Sequence, residues 1–196
     1  MSQVNALDEL KLAAYLEANI EGFKGPLTVE KFPGGQSNPT FKITTSSGVY
    51  VLRRQPPGEL LKSAHAVDRE YRVLDALAKT EVPVAKVYHL CEDREVIGSM
   101  FYLMECCEGN IYWDPALPEV EKPERGAMYG EMVRVLAAMH KVDINQAGLG
   151  DYGKPGNYFQ RQYKRWSGQY RASEIDNINA MEALMAKLEQ ALPEDD

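Results

Sequence analysis

The sequence is poor in the residues that build metal and disulfide sites. It holds three cysteines and three histidines among 196 residues. No Cys-x-x-Cys occurs and the histidines are scattered, which argues against zinc. Cys91, Cys106 and Cys107 cannot all pair, and adjacent cysteines rarely bond each other. Reduced thiols and a cytoplasmic location are the expectation. No apolar run approaches the length of a membrane span, and the N-terminal MSQVNALDELK lacks the charged-then-apolar order of a signal peptide. Positive charge is also in deficit: 22 Lys and Arg against 29 Asp and Glu leave a net −7. That argues against a general nucleic-acid binder, while leaving room for a local basic pocket.

What is present is ordinary for a soluble globular protein, 44% hydrophobic and 26% charged, with a length that suits one large domain or two small lobes. Residues 5–20 carry Leu7, Leu10 and Ala14, and Leu12 and Leu16, at helical spacing, with Asn5 and Asp8 resembling a capping box. Strands are expected at 27–32, 39–45 and 49–55, separated by PGGQSN and SSG turns. A helix at 64–79 follows, capped by Ser63, with Val67, Tyr71, Leu74 and Ala78 in one stripe. Two more strands are expected at 85–92 and 99–106. Loops this short cannot make parallel crossovers, so the sheet should be mainly antiparallel with one crossing helix.

Composition then shifts. Residues 107–123 read as a linker, and a helix at 124–142 places Met128, Met132, Val135, Leu136 and Met139 inward. A Gly-rich loop leads to a polar helix at 157–171 and a last helix at 174–191. The organisation expected is therefore 1–105 as a β-rich lobe, 106–123 as hinge and linker, and 124–196 as a partial helical lobe.

The chemistry gathers around FPGGQSNPTFKI, residues 32–43. A glycine pair followed by small polar residues suits a turn whose amides face a phosphate, and equally suits a tight hairpin. On the third strand Val51 and Arg53 point the same way, so an apolar roof for an adenine and a cation for phosphates lie together. Arg54 is one residue away, so the assignment can slip by one. Glu70 borders the apolar stripe of the next helix and needs a partner; Arg53 is the natural one. FYLMEC ends a strand just before the composition shift, where Glu105 and Cys106 would offer backbone groups to an adenine edge.

Taken with YVLRRQPPG, REYRVLDALA, FYLMECCEGNIYWD, VLAAMHKVD and GLGDYGKPGNYFQRQYKRW, these residues give a chain that resembles the aminoglycoside phosphotransferase family, kinase-like enzymes acting on small molecules. It looks closest to the branch associated with acyl-CoA dehydrogenases. The resemblance implies an α+β, protein-kinase-like fold: a five-stranded antiparallel lobe with one crossing helix, then an incomplete helical lobe. It also implies Gly34, Gly35, Gln36, Ser37 and Asn38 as a phosphate-facing loop, Arg53 as the nucleotide-phosphate cation and Glu70 as its partner. ATP and magnesium would be the cofactors of the complete enzyme, and a small-molecule hydroxyl the acceptor.

The family's His-Gly-Asp…Asn loop and later metal-binding Asp are not found. HKVDIN, residues 140–145, and DYG, residues 151–153, imitate them, but Asp143 and Asp151 are too close together in sequence for the intervening hairpin. No catalytic or metal-binding residue is therefore assigned, and the polypeptide alone is expected to be inactive. It would be the N-terminal portion of a phosphotransferase. The rivals are a nucleotide-binding module without turnover, a module completed by a partner or by self-association, and a structural domain in which Arg53 and Glu70 merely tie sheet to helix. Residues 157–170 interleave Arg161, Lys164 and Arg165 with Tyr158, Phe159, Tyr163, Trp166 and Tyr170. The pattern fits a core edge with a solvated face better than a nucleic-acid stripe, given the acidic balance. Trp113, just past the hinge, would flank the cleft or pack the linker.

Overall fold

The computed structural model describes residues 7–33, 37–58 and 65–193. Two compact units divide at Leu149 and Gly150. The first opens with α1 (Glu9–Asn19). Its cap is Asp8, whose side chain accepts from the Lys11 amide at 3.0 Å. Asn5 lies outside the described residues. Of the two expected stripes, Leu12 and Leu16 are fully buried, whereas Leu10 is 84% exposed and Ala14 faces solvent.

The strands are β1 (Thr28–Lys31), β2 (Thr40–Thr45), β3 (Gly48–Arg54), β4 (Val87–Cys91) and β5 (Phe101–Glu105). All pairs are antiparallel, in the order β1-β2-β3-β5-β4. Between β3 and β4 runs α2 (Val67–Leu77). The expected cap at Ser63 lies outside the described residues; Ala66 stands at the N-cap with no side-chain bond. β5 returns to the middle of the sheet, so Arg53 of β3 stands opposite Tyr102.

Strand alternation gives the sheet two unlike faces. Phe41, Ile43, Leu52, Phe101 and Leu103 join Leu12 and Leu16 of α1 in one apolar core. Each such large side chain, fully buried, stabilises by about 1.5–3 kcal/mol. Thr40, Val51, Arg53, Tyr102 and Met104 take the other face, where Tyr71 of α2 meets Tyr102 edge-on at 6.1 Å between ring centroids.

The α1 face carries a polar tie. The Tyr15 hydroxyl lies 2.9 Å from His89 Nε2. Desolvation by burial pushes the Tyr15 phenol up and the His89 imidazole down, so Tyr15 donates to a neutral ring. Protonating His89 then favours the unfolded chain. Stability from this site is complete above the ordinary histidine pKa of about 6.5 and is lost as pH falls through that value toward the lowered one of the folded state. The urea midpoint should drop over that acidic window, and His89→Gln should flatten the drop. An unaltered pH slope in the variant would refute this origin.

The long helix α3 (Lys122–His140) closes the first unit. Of the expected inward set, Met128 and Val135 are half-buried and the other three are exposed. Met132, Leu136 and Met139 are 63%, 50% and 47% exposed, and no residue of α3 is buried. Periodicity identified an apolar face but not what covers it. With Tyr112, Pro115 and Leu117 that face lines an open groove of about 990 Å³. In the second unit α4 (Tyr158–Ser173) and α5 (Asn179–Gln190) flank an open groove of about 300 Å³ lined by Phe159, Tyr163, Trp166, Met181, Met185 and Leu188. Arg171 and Glu182 link the two helices outside that groove. Among the described residues no helix is long and apolar enough to cross a membrane.

Candidate functional site

The site is built on β3. Alternation sends Val51 and Arg53 to the α2 face and Leu52 and Arg54 to the core face. Arg54 is 4% exposed, with its Nε 2.8 Å from Ser99 Oγ, and burial pushes its guanidinium pKa down. Of the two arginines, Arg53 is the one that meets Glu70, and Arg54 is buried on the opposite face.

Arg53 and Glu70 form the strand-to-helix pair that the sequence calls for. Arg53 Nε donates to Glu70 Oε2 at 2.6 Å and Nη2 to Oε1 at 3.3 Å. The side chains are 30% and 34% exposed, so the pair lines an open rim. The bond to Glu70 raises the Arg53 pKa against an opposing desolvation, which keeps the cation charged. Nη1 is engaged too, with the Asn38 carbonyl at 3.3 Å and Thr40 Oγ1 at 3.1 Å. Among the described residues one N–H of Nη2 has no partner, and it carries its share of the charge.

Glu70 is held from further sides. Asn38 Nδ2 donates to Oε1 at 2.8 Å, and the Tyr102 hydroxyl to Oε2 at 3.2 Å. Desolvation, then the Glu70 charge, pushes the Tyr102 phenol up, so it stays a donor. Asn38 is only 5% exposed and also meets His65 Nδ1 through its Oδ1 at 2.9 Å.

The other expected positions divide. Gly34, Gly35 and Gln36 lie outside the described residues. Ser37 is exposed. Asn38 turns its side chain inward, where the buried carboxamide finds partners in Glu70 and His65. Val51 is 7% exposed on the Arg53 face. The Glu105 amide already donates to the Lys86 carbonyl at 2.8 Å, where β4 runs alongside β5, so that donor is not free for an adenine edge. Cys106 is half-buried and Cys107 exposed, both as free thiols. Trp113 is 89% exposed rather than packed in the linker. Asp143 Oδ1 accepts from the Asn145 and Gln146 amides, which is a turn-capping role. Thr40, Tyr102 and His65 were missed. Tyr102 and Thr40 become visible only once strand neighbours are known.

The arrangement is a cation fixed on a strand by a helix carboxylate, beside an apolar side chain on the same sheet face. Residues 28–196 match the sequence profile described as the phosphotransferase enzyme family. The chain belongs to that family. A crystal structure from Ralstonia eutropha JMP134, named "putative aminoglycoside phosphotransferase", is 53% identical, superposes with a TM-score of 0.76, and matches 96% of this chain and 55% of its own. The kinase-like α+β fold follows from that match. Acyl-CoA dehydrogenase family member 10 of Mus musculus is 48% identical over 86% of this chain and 16% of its own length. The probable acyl-CoA dehydrogenase IBR3 of Arabidopsis thaliana is 46% identical over 88% and 22%. Acyl-CoA dehydrogenase family member 11 of Homo sapiens is 39% identical over 96% and 25%. The chain thus spans a quarter or less of these curated relatives, and they place it in the branch associated with acyl-CoA dehydrogenases.

Proposed function

We propose that this chain supplies the nucleotide-gripping lobe of an ATP-dependent phosphotransferase whose acceptor is a small-molecule hydroxyl. The observation that carries the reading is Arg53, held by Glu70 on the sheet face it shares with Val51. Val51 offers an apolar contact to the adenine, and Arg53 offers charge and an N–H to the phosphates. Glu70, Thr40 and the Asn38 carbonyl keep the guanidinium from reorienting when a ligand arrives.

ATP bound to magnesium would bring the transferable phosphoryl group and its counter-charge. No magnesium ligand is assigned in this chain, because its sequence does not match the family's His-Gly-Asp…Asn loop and later metal-binding Asp. The reading proposed is of a polypeptide that binds nucleotide without turning it over, in the cytoplasm, with no nucleic acid or membrane partner.

A second reading has its own support. Nε and Nη1 of Arg53 are already engaged within the protein, as a purely structural tie between sheet and α2 would require. Titrating the purified chain with ATP, alongside Arg53→Met, separates the two. The nucleotide reading expects saturable binding without phosphate transfer, weakened about tenfold or more in the variant. No binding by the parent, with a destabilised Arg53→Met, favours the structural tie. Phosphate transfer by the chain alone would overturn its non-catalytic assignment.

A further inference from the structure

We infer that His65 is a positioning residue for the Arg53–Glu70 pair, acting through Asn38. The argument starts from the carboxylate. Glu70 only accepts, so Asn38 must present Nδ2 to it, and the contact is 2.8 Å. Oδ1 of Asn38 then points the other way and meets His65 Nδ1 at 2.9 Å. An amide oxygen only accepts, so Nδ1 carries the hydrogen. The chain of donors has one direction: His65 Nδ1–H to Asn38, Asn38 Nδ2–H to Glu70, with Arg53 and Tyr102 donating to the same carboxylate.

The histidine is itself fixed. Its φ is +58°, a left-handed conformation that histidine tolerates better than most residues. Gln55, 7% exposed at the end of β3, donates through Nε2 to the His65 carbonyl at 3.0 Å. A residue two before α2 is thus bound to one two before β2 and to the residue that follows β3. Without a donor at position 65, the Asn38 carboxamide loses the contact that keeps its nitrogen toward Glu70. A rotated amide would set oxygen against carboxylate.

The consequence for nucleotide affinity rests on the function proposed above; the positioning role does not. Three variants test it. His65→Asn puts an amide nitrogen where Nδ1 sits and accepts the left-handed backbone. His65→Gly keeps the backbone and removes the donor. His65→Asp keeps shape and backbone but presents an acceptor to Asn38. The primary readout is the Arg53 Nε–H resonance and its exchange with water in the full 196-residue chain; the secondary one is ATP affinity. The parent and His65→Asn should show a protected Nε–H. His65→Gly and His65→Asp should exchange it about tenfold faster, and bind ATP about tenfold more weakly, the worth of one hydrogen bond to a charged group. Parent-like Arg53 protection in both His65→Gly and His65→Asp would overturn the assignment. A parent that binds no ATP refutes the nucleotide reading, while the Arg53 signal still decides the role of His65.

Discussion

Replacing Glu70 with alanine should destabilise the first unit by about 2–3 kcal/mol, with an unchanged denaturant slope. An exposed ion pair is worth less than 1 kcal/mol, so the expectation needs more than the pair. The excess comes from what the carboxylate leaves behind. Asn38 and Tyr102 are 5% and 2% exposed, and each would lose a hydrogen-bond acceptor in a place water reaches poorly. Arg53 would lose its anchor at the same time and swing into solvent. Nucleotide affinity should therefore fall with stability. Glu70→Gln should recover only part of the loss, because its amide nitrogen would face a donor from Arg53 or Tyr102. Urea unfolding followed by far-ultraviolet circular dichroism gives the number. A loss below about 0.5 kcal/mol would mean that the network is no more than a surface pair.

The second large effect is expected on association. We propose that α3 makes the isolated chain self-associate. Its apolar face presents Met132, Val133 and Leu136 to solvent at 63%, 66% and 50% exposure, beside Tyr129 and Met139. A contiguous patch of this kind on a protein surface is normally covered. The solved relative contains a further stretch of polypeptide, since the match takes in only 55% of it. A second copy of the chain is the available cover in a purified sample. Met132→Lys with Leu136→Lys should weaken association by about a hundredfold, since two large side chains forfeit about 1.5–3 kcal/mol each of burial. Folding stability should hardly change, because neither residue is buried in the monomer. Sedimentation velocity across a concentration series reads both species. A monomeric parent at the highest concentration would refute the proposal.

Much of the lobe was legible because its elements carry strong local signals. The strands alternate, the turns hold Gly, Ser and Asn, and the pairing of Arg53 with Glu70 follows from a charge beside an apolar stripe. The errors have physical reasons. Leu10 sits at helical spacing yet faces water, because which face of α1 is inward depends on the sheet beneath it. The α3 stripe was read as core because periodicity reports amphipathicity, not cover. The side-chain role of Asn38 was not legible, because its neighbours in space, Glu70 and His65, lie far along the chain. His65 gave no signal at all. It falls within the span read as a helix, 64–79, yet stands ahead of α2 and acts through a backbone angle that the sequence does not display.

The two arginines that end β3 have a consequence for how the strand finds its place. Val51-Leu52-Arg53-Arg54 reads almost the same after a slip of one position: an apolar side chain and a cation would still reach each face. The strand by itself is therefore nearly indifferent to its own alignment. Discrimination falls to its neighbours, where Phe41 and Leu103 oppose Leu52, while Thr40 and Tyr102 flank Arg53. A misaligned hairpin would drive Val51 into the core and turn Leu52 outward, a difference of one methylene. Which arginine meets the carboxylate is thus decided by β2, β5 and α2 rather than by the strand's own sequence. Substitutions at Thr40 or Tyr102, remote in sequence from the arginines, are where errors of alignment would first show.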